Sequence, residues 1–188
     1  MKTRCSWPGS DELMIQYHDE EWGTPVHDDK KHFEFLILDG FQAGLSWKTI
    51  LHKRENFAKA FADFDVQKVA KFTEARLEKL MLDEGIIRNR LKIFGAKKNA
   101  LAFIAVQKEF GSFDKYIWQF VGGKPLQGNR KGGDIPATSK ESDAMSKDLK
   151  KRGFTFVGST ICYAYMQAAG LVNDHVGECF RCGILKKL

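Results

Sequence analysis

Four residues near the two ends of this 188-residue chain have side chains that bind soft cations. His175 and Cys179 stand at H-x-x-x-C spacing, a chelating pair known from structural zinc sites, and Cys5 with His18 could complete a set of two thiolates and two imidazoles. Cys182, three residues beyond Cys179, competes as a ligand, and the plainer reading is that these are unrelated core residues. A closed four-coordinate shell leaves no position for a reactive water, so a zinc ion held there would be structural. It would join segments some 170 residues apart and remove much loop entropy from the unfolded chain.

A second constellation is aromatic. Three of the four tryptophans, Trp7, Trp22 and Trp47, fall with Tyr17 in the first fifty residues. Flat π-faces suit stacking on a nucleobase, and a carboxylate or phenol beside them can read the base edge. Asp39 is the carboxylate to watch, four residues after Phe35 on an otherwise apolar helical face. For any one tryptophan a place in the core is the simpler reading; the set argues for a pocket. Residues 1–40 carry four basic and nine acidic side chains, which fits a pocket for a cationic base. The total is nonetheless +6, so the later residues carry an excess of eleven positive charges, as expected of a polyanion partner.

A third constellation is the segment from Leu80 to Lys92, which reads as a helix, a tight turn at Gly85 and a second helix start, a pattern resembling a helix-hairpin-helix. Free backbone N–H groups in such a turn can face a phosphate, and the helix dipole favours the anion. Arg88, Arg90, Lys92, Lys97 and Lys98 follow with no acidic residue among them, adding attraction for a DNA backbone. The competing reading is a solvated basic face beside a Gly-capped helix end.

The elements that position these residues read as helices throughout, and the fold class is all-α. Phe33, Leu36, Ile37, Gly40 and Phe41 mark one helix, and Trp47, Ile50, Leu51, Ala58 and Phe61 continue an apolar face after a break at Gly44-Leu45-Ser46. Thr73 caps a helix through Leu77, Leu80 and Met81, with Gly85 as its left-handed stop. Ile87, Leu91, Phe94, Leu101 and Ile104 give the stripe of a longer helix, and Ser112 opens another that Gly122-Gly123 ends. Residues 122–137 read as a loop. Thr138 and Glu141 have capping-box spacing for a basic helix stopping at Gly153, and Thr160 to Ala169 forms a last helix before Gly170. No run alternates as a strand would. His27, His32 and His52 lie among charges and are expected to face solvent, whereas Cys162 belongs in the core.

The length fits one domain over residues 1–188. No apolar run approaches the ~18 residues of a bilayer span, so a soluble, cytoplasmic protein with reduced thiols is expected, and no heptads ask for a partner, which predicts a monomer.

Five segments carry a family resemblance: Tyr17 to Gly23 (YHDEEWG), Gln42 to Trp47 (QAGLSW), Gly85 to Arg88 (GIIR), Phe156 to Tyr163 (FVGSTICY) and Gly170 to His175 (GLVNDH). Together they resemble the DNA-3-methyladenine glycosylase I family over nearly the whole chain. The resemblance implies a helix-hairpin-helix glycosylase fold, with the hairpin near residues 73–98. It also implies a structural zinc on Cys5, His18, His175 and Cys179, and an alkylated double-stranded DNA substrate. It implies that Trp47 stacks on the excised base, that Tyr17 and Asp39 bind its edge and serve the chemistry, and that Trp7 and Trp22 wall the pocket. Gln42 and Leu45 would fill the gap left in the duplex, while Gly85, Arg88 and Arg90 hold its backbone. One departure stands out: the family pattern has Leu-Glu-Gly where this chain has Leu38-Asp39-Gly40, a carboxylate one methylene shorter. A non-catalytic lesion-binding protein and a zinc-stapled helical interaction protein are the alternatives in other functional classes.

Overall fold

Side-chain caps set most helix starts. Asp11, Asp28, Ser46, Asp65, Thr73, Asn89 and Ser112 each accept a hydrogen bond from the backbone N–H three residues on. The computed structural model describes residues 2–128, 130, 131 and 134–187. Among them eleven α-helices occur: α1 Glu12–Glu20, α2 Asp29–Gln42, α3 Trp47–Leu51, α4 Arg54–Ala60, α5 Val66–Ala70, α6 Glu74–Leu80, α7 Arg90–Phe110, α8 Phe113–Trp118, α9 Lys140–Lys151, α10 Ser159–Ala168 and α11 Phe180–Leu185. Helix α2 is the central strut, in contact with α3, α7, α8 and α10. Its apolar residues from Phe33 to Phe41 are buried on all sides, which is why its amphipathic signal is weak. No described helix is long and apolar enough to cross a membrane.

The structure corrects several expectations. The long helix α7 does not bury the stripe of large residues: Leu91 and Leu101 are 74% and 52% exposed, while Ile93, Ala96, Ala100, Phe103 and Val106 face the core. Small alanines at helical spacing admit close approach of α5 and α2, and hydrophobic bulk alone pointed to the wrong face. Gly85 is not a left-handed stop, since its φ is not positive; α6 ends at Leu80 and the Asp83 carboxylate accepts from the Gly85 N–H at 2.8 Å. The capping box lies one residue later than expected, at Ser139 and Ser142, whose hydroxyls each accept from the other's backbone N–H. His32 is fully buried rather than solvent-facing, hydrogen-bonded to the Tyr165 hydroxyl at 2.6 Å and to Asp114 at 3.2 Å. His27 and His52 are exposed and Cys162 is buried, as expected.

Two features escape periodicity. Strands β1 (Leu126–Gln127) and β2 (Val172–Asn173) pair in parallel, drawing Leu126 and Gln127 onto the residues that follow α10, but two residues are too few to show alternation. Helix α11 closes the C-terminal end against the N-terminal segment, where the Phe180 N–H donates to the Thr3 carbonyl. Gly170 makes the turn from α10 to β2 with φ of +70°, and a Cβ there would stand 2.3 Å from the Thr24 carbonyl. Only glycine fits that approach.

Candidate active site

Cys5, His18, His175 and Cys179 converge from the two ends of the chain. All four are buried, and their ligand atoms lie within 4.8 Å of one another. The Cys179 Sγ is 3.4 Å from His175 Nδ1 and 3.5 Å from His18 Nε2, and Cys5 Sγ is 3.6 Å from His175 Nδ1. Tetrahedral bonds of roughly 2.0–2.3 Å place ligand atoms roughly 3.5 Å apart, so the spacing suits a four-coordinate cation. The outer contacts aim both imidazoles. His18 Nδ1 donates to Asp19, which Arg4 holds in a two-pronged contact, and this leaves the Nε2 lone pair facing inward. His175 Nε2 donates to the Trp22 carbonyl at 2.9 Å, leaving its Nδ1 lone pair facing inward. Burial holds His18 below its usual pKa and takes His175 to about 4, so both rings are neutral and able to ligate. Burial also pushes the Cys5 thiol up to about 12, a cost that a bound dication reverses. Cys182 is buried but outside the cluster; its backbone carbonyl accepts from Asn173.

Beside this cluster lies a cavity of about 200 Å³. Helix α1 and the segments flanking it supply Trp7, Tyr17 and Trp22, α2 supplies Asp39 and Gln42, and Trp47 enters from the start of α3. The five residues expected at the pocket are therefore brought together, and Gln42, expected instead in the duplex gap, lines the same cavity. Trp7 and Trp22 stand edge to face with centroids 5.0 Å apart, and Tyr17 and Trp47 tilt against each other at 5.0 Å. The sequence reading missed Ile135, Ala164 and Gln167, which complete the lining. Gln167 carried one usable signal, an amide side chain in the apolar later turns of α10.

Three buried polar atoms of the lining have no hydrogen-bond partner: Asp39 Oδ2, Trp7 Nε1 and Trp47 Nε1. Unmatched buried groups cost about 1–3 kcal/mol each, and clustered in one cavity they suit a ligand that gives a hydrogen bond to Asp39 and accepts from indoles. Burial raises the Asp39 carboxyl well above the ordinary carboxylate range, which favours its protonated form. Tyr17 is likewise raised, by burial first and by Asp39 second, and keeps its proton as a donor.

The remaining predicted contacts lie outside the cavity. Leu45 is 41% exposed at the turn after α2, where Gly44 adopts φ of +79°. Arg88 and Arg90 are exposed and paired with Glu84 and Glu78 respectively. Lys92 departs from expectation: it is buried, and its Nζ caps the end of α2 by donating to the carbonyls of Phe41 and Ala43. Lys53 donates to the Glu84 and Gly85 carbonyls, so it ties the Gly85 turn to the α3–α4 junction as Lys92 ties α7 to the end of α2.

A helical protein with a tryptophan-walled, carboxylate-bearing cavity beside a Cys/His cluster matches one known class. Residues 7–182 match the methyladenine glycosylase family, and the chain belongs to it. It is 50% identical over 177 residues to DNA-3-methyladenine glycosylase 1 of Escherichia coli strain K12, covering 94% of this chain and 95% of that protein. It is 46% identical to a DNA-3-methyladenine glycosylase of Haemophilus influenzae, covering 95% and 97%. Among solved structures, a 3-methyladenine DNA glycosylase I in complex with 3-methyladenine superposes with a TM-score of 0.91 at 34% identity, covering 94% of this chain and 96% of that one.

Proposed function

We propose that this protein hydrolyses the bond between 3-methyladenine and deoxyribose in alkylated double-stranded DNA, releasing the free base and leaving an abasic site. The carrying observation is the buried Asp39 carboxyl, unpartnered at Oδ2 in a cavity walled by Trp7, Tyr17, Trp22 and Trp47. Adenine methylated at N3 is cationic in DNA and leaves as a neutral base, so finding, extruding and holding the lesion matters more than strong acid catalysis. The hairpin around Gly85, with Arg88 and Arg90, positions the backbone; Gln42 and Leu45 occupy the gap; and the flipped base enters against Trp47. Asp39 and Tyr17 bind its edge. The positive charge of the bound base favours ionised Asp39, whose proton passes to solvent water as the base enters, so the carboxylate becomes its counter-charge, which neutral adenine does not induce. Water then attacks the sugar carbon. Among the described residues no lysine lines the cavity, so a Schiff-base step is not expected.

In this reading the hairpin is a helix-hairpin-helix unit, and the fold is one domain over residues 1–188 working as a monomer in the reducing cytoplasm. A structural zinc on Cys5, His18, His175 and Cys179 takes no part in the reaction; it fixes the segments carrying Trp7 and Trp22. The shorter carboxylate at Asp39 is the one feature favouring a non-catalytic lesion binder. Incubation with methylated duplex DNA separates the two: the enzyme releases 3-methyladenine, whereas a binder retards the DNA and releases nothing.

A further inference from the structure

Gln167 faces the cavity from α10, on a different element from Asp39, and has no part in the mechanism above. Its Nε2 lies 2.9 Å from Oδ2 of Asp174, a fully buried carboxylate. The Tyr163 hydroxyl donates to the same oxygen at 2.6 Å, and Arg130 Nε donates to Oδ1 at 2.8 Å, matching the charge. A carboxylate in that position only accepts, so the amide group turned toward it is the NH2 and not the carbonyl. Tyr163 in turn accepts from Arg130 Nη2 at 2.7 Å, so Asp174, which sets the amide, is itself fixed by two other residues. The Gln167 carbonyl is the free end of the amide, and Oε1 makes no hydrogen bond among the described residues.

We infer that Gln167 is a specificity-determining residue of the base pocket. Its carbonyl, oriented by Asp174, accepts from the 6-amino group that an adenine-type base carries and meets repulsively the 6-oxo group of a guanine-type base. The inference rests on the glycosylase reading and deepens it. Asp39 distinguishes a charged base from a neutral one, while Gln167 distinguishes two alkylated purines from each other. A pocket built to receive a donor rejects an analogue presenting an acceptor, because both lone pairs are then left unmatched.

The test measures release of 3-methyladenine and 3-methylguanine from the same methylated DNA by wild type and by Gln167→Met, a variant of similar length with no acceptor. The ratio of the two kcat/KM values is expected to fall roughly tenfold in the variant, mainly through slower 3-methyladenine release, with the variant still folded although Asp174 loses one donor. An unchanged ratio in a folded Gln167→Met protein overturns the inference and leaves the glycosylase reading intact; wild-type protein that releases no base overturns both. A second measurement needs no variant. Calorimetric titration of wild type with free 3-methyladenine and 3-methylhypoxanthine, which differ at the 6-position, is expected to favour the amino compound by tenfold or more. Equal affinities overturn the assignment of Gln167.

Discussion

The Nε2 of His175 donates to the backbone carbonyl of Trp22 across 2.9 Å, and the indole of that tryptophan stands edge-on to the same imidazole, with centroids 4.6 Å apart. The Cys/His cluster and the pocket wall are therefore in direct contact. Trp7 joins them as well, its ring 5.4 Å from that of His18. Whatever orders the cluster orders two sides of the cavity.

Metal removal should consequently act on base binding and on stability together. One zinc per chain is expected by elemental analysis, and Cys179→Ala should lose it. Stripping the ion with a strong chelator should lower the melting temperature and abolish quenching of tryptophan fluorescence by 3-methyladenine. Retained zinc and an unaltered melt in Cys179→Ala would contradict a metal staple.

Asp39 should trade stability for activity. Its folded pKa is raised, so the unfolded chain binds fewer protons between the ordinary carboxylate value and the folded one, and stability falls as pH rises through that window. Asp39→Asn cannot ionise. It should melt higher than wild type at pH 7.5, with the difference vanishing below about pH 4, while base release falls roughly 100-fold. Calorimetry across pH, together with a release assay, checks both; strongly retained activity removes the role given to this carboxylate.

Lys92 and Arg88 should separate cleanly, although both lie in the same basic run of sequence. Lys92→Met leaves the Phe41 and Ala43 carbonyls unpaired and should cost about 1.5–3 kcal/mol without altering the salt dependence of DNA binding. Arg88→Ala should leave the melt unchanged and lower the slope of log affinity against log salt by about one.

Gly170→Ala should be among the most damaging single substitutions available. The added carbon meets backbone of Thr24 and Pro25 rather than a side chain that could swing away, and the backbone is left-handed as well. A loss of roughly 3–5 kcal/mol is expected by denaturant unfolding.

Much of the site was readable before any coordinates, because its residues are chemically unusual where they stand: a carboxylate amid Phe35, Leu36 and Leu38, tryptophans in an acidic segment, an H-x-x-x-C pair. Helix starts were readable where a capping residue precedes an apolar stripe, as at Thr73 and Ser112. What failed depended on partners distant in sequence. Lys92 looks like any surface cation until the end of α2 is found against it, and His32 looks exposed until Tyr165 and Asp114 are placed beside it. Gln167 gains meaning only through Asp174, since an amide shows no direction until something fixes it.

Because Thr3 and Cys5 close on Phe180, Cys179 and His175, the recognition cavity is a late product of synthesis. Trp7 and Trp22 leave the ribosome early, yet their segments gain these contacts only once residues 175–180 have followed. A polypeptide cut ahead of His175 thus keeps both indoles but loses the imidazole, the thiol and the backbone amide that hold their segments in place.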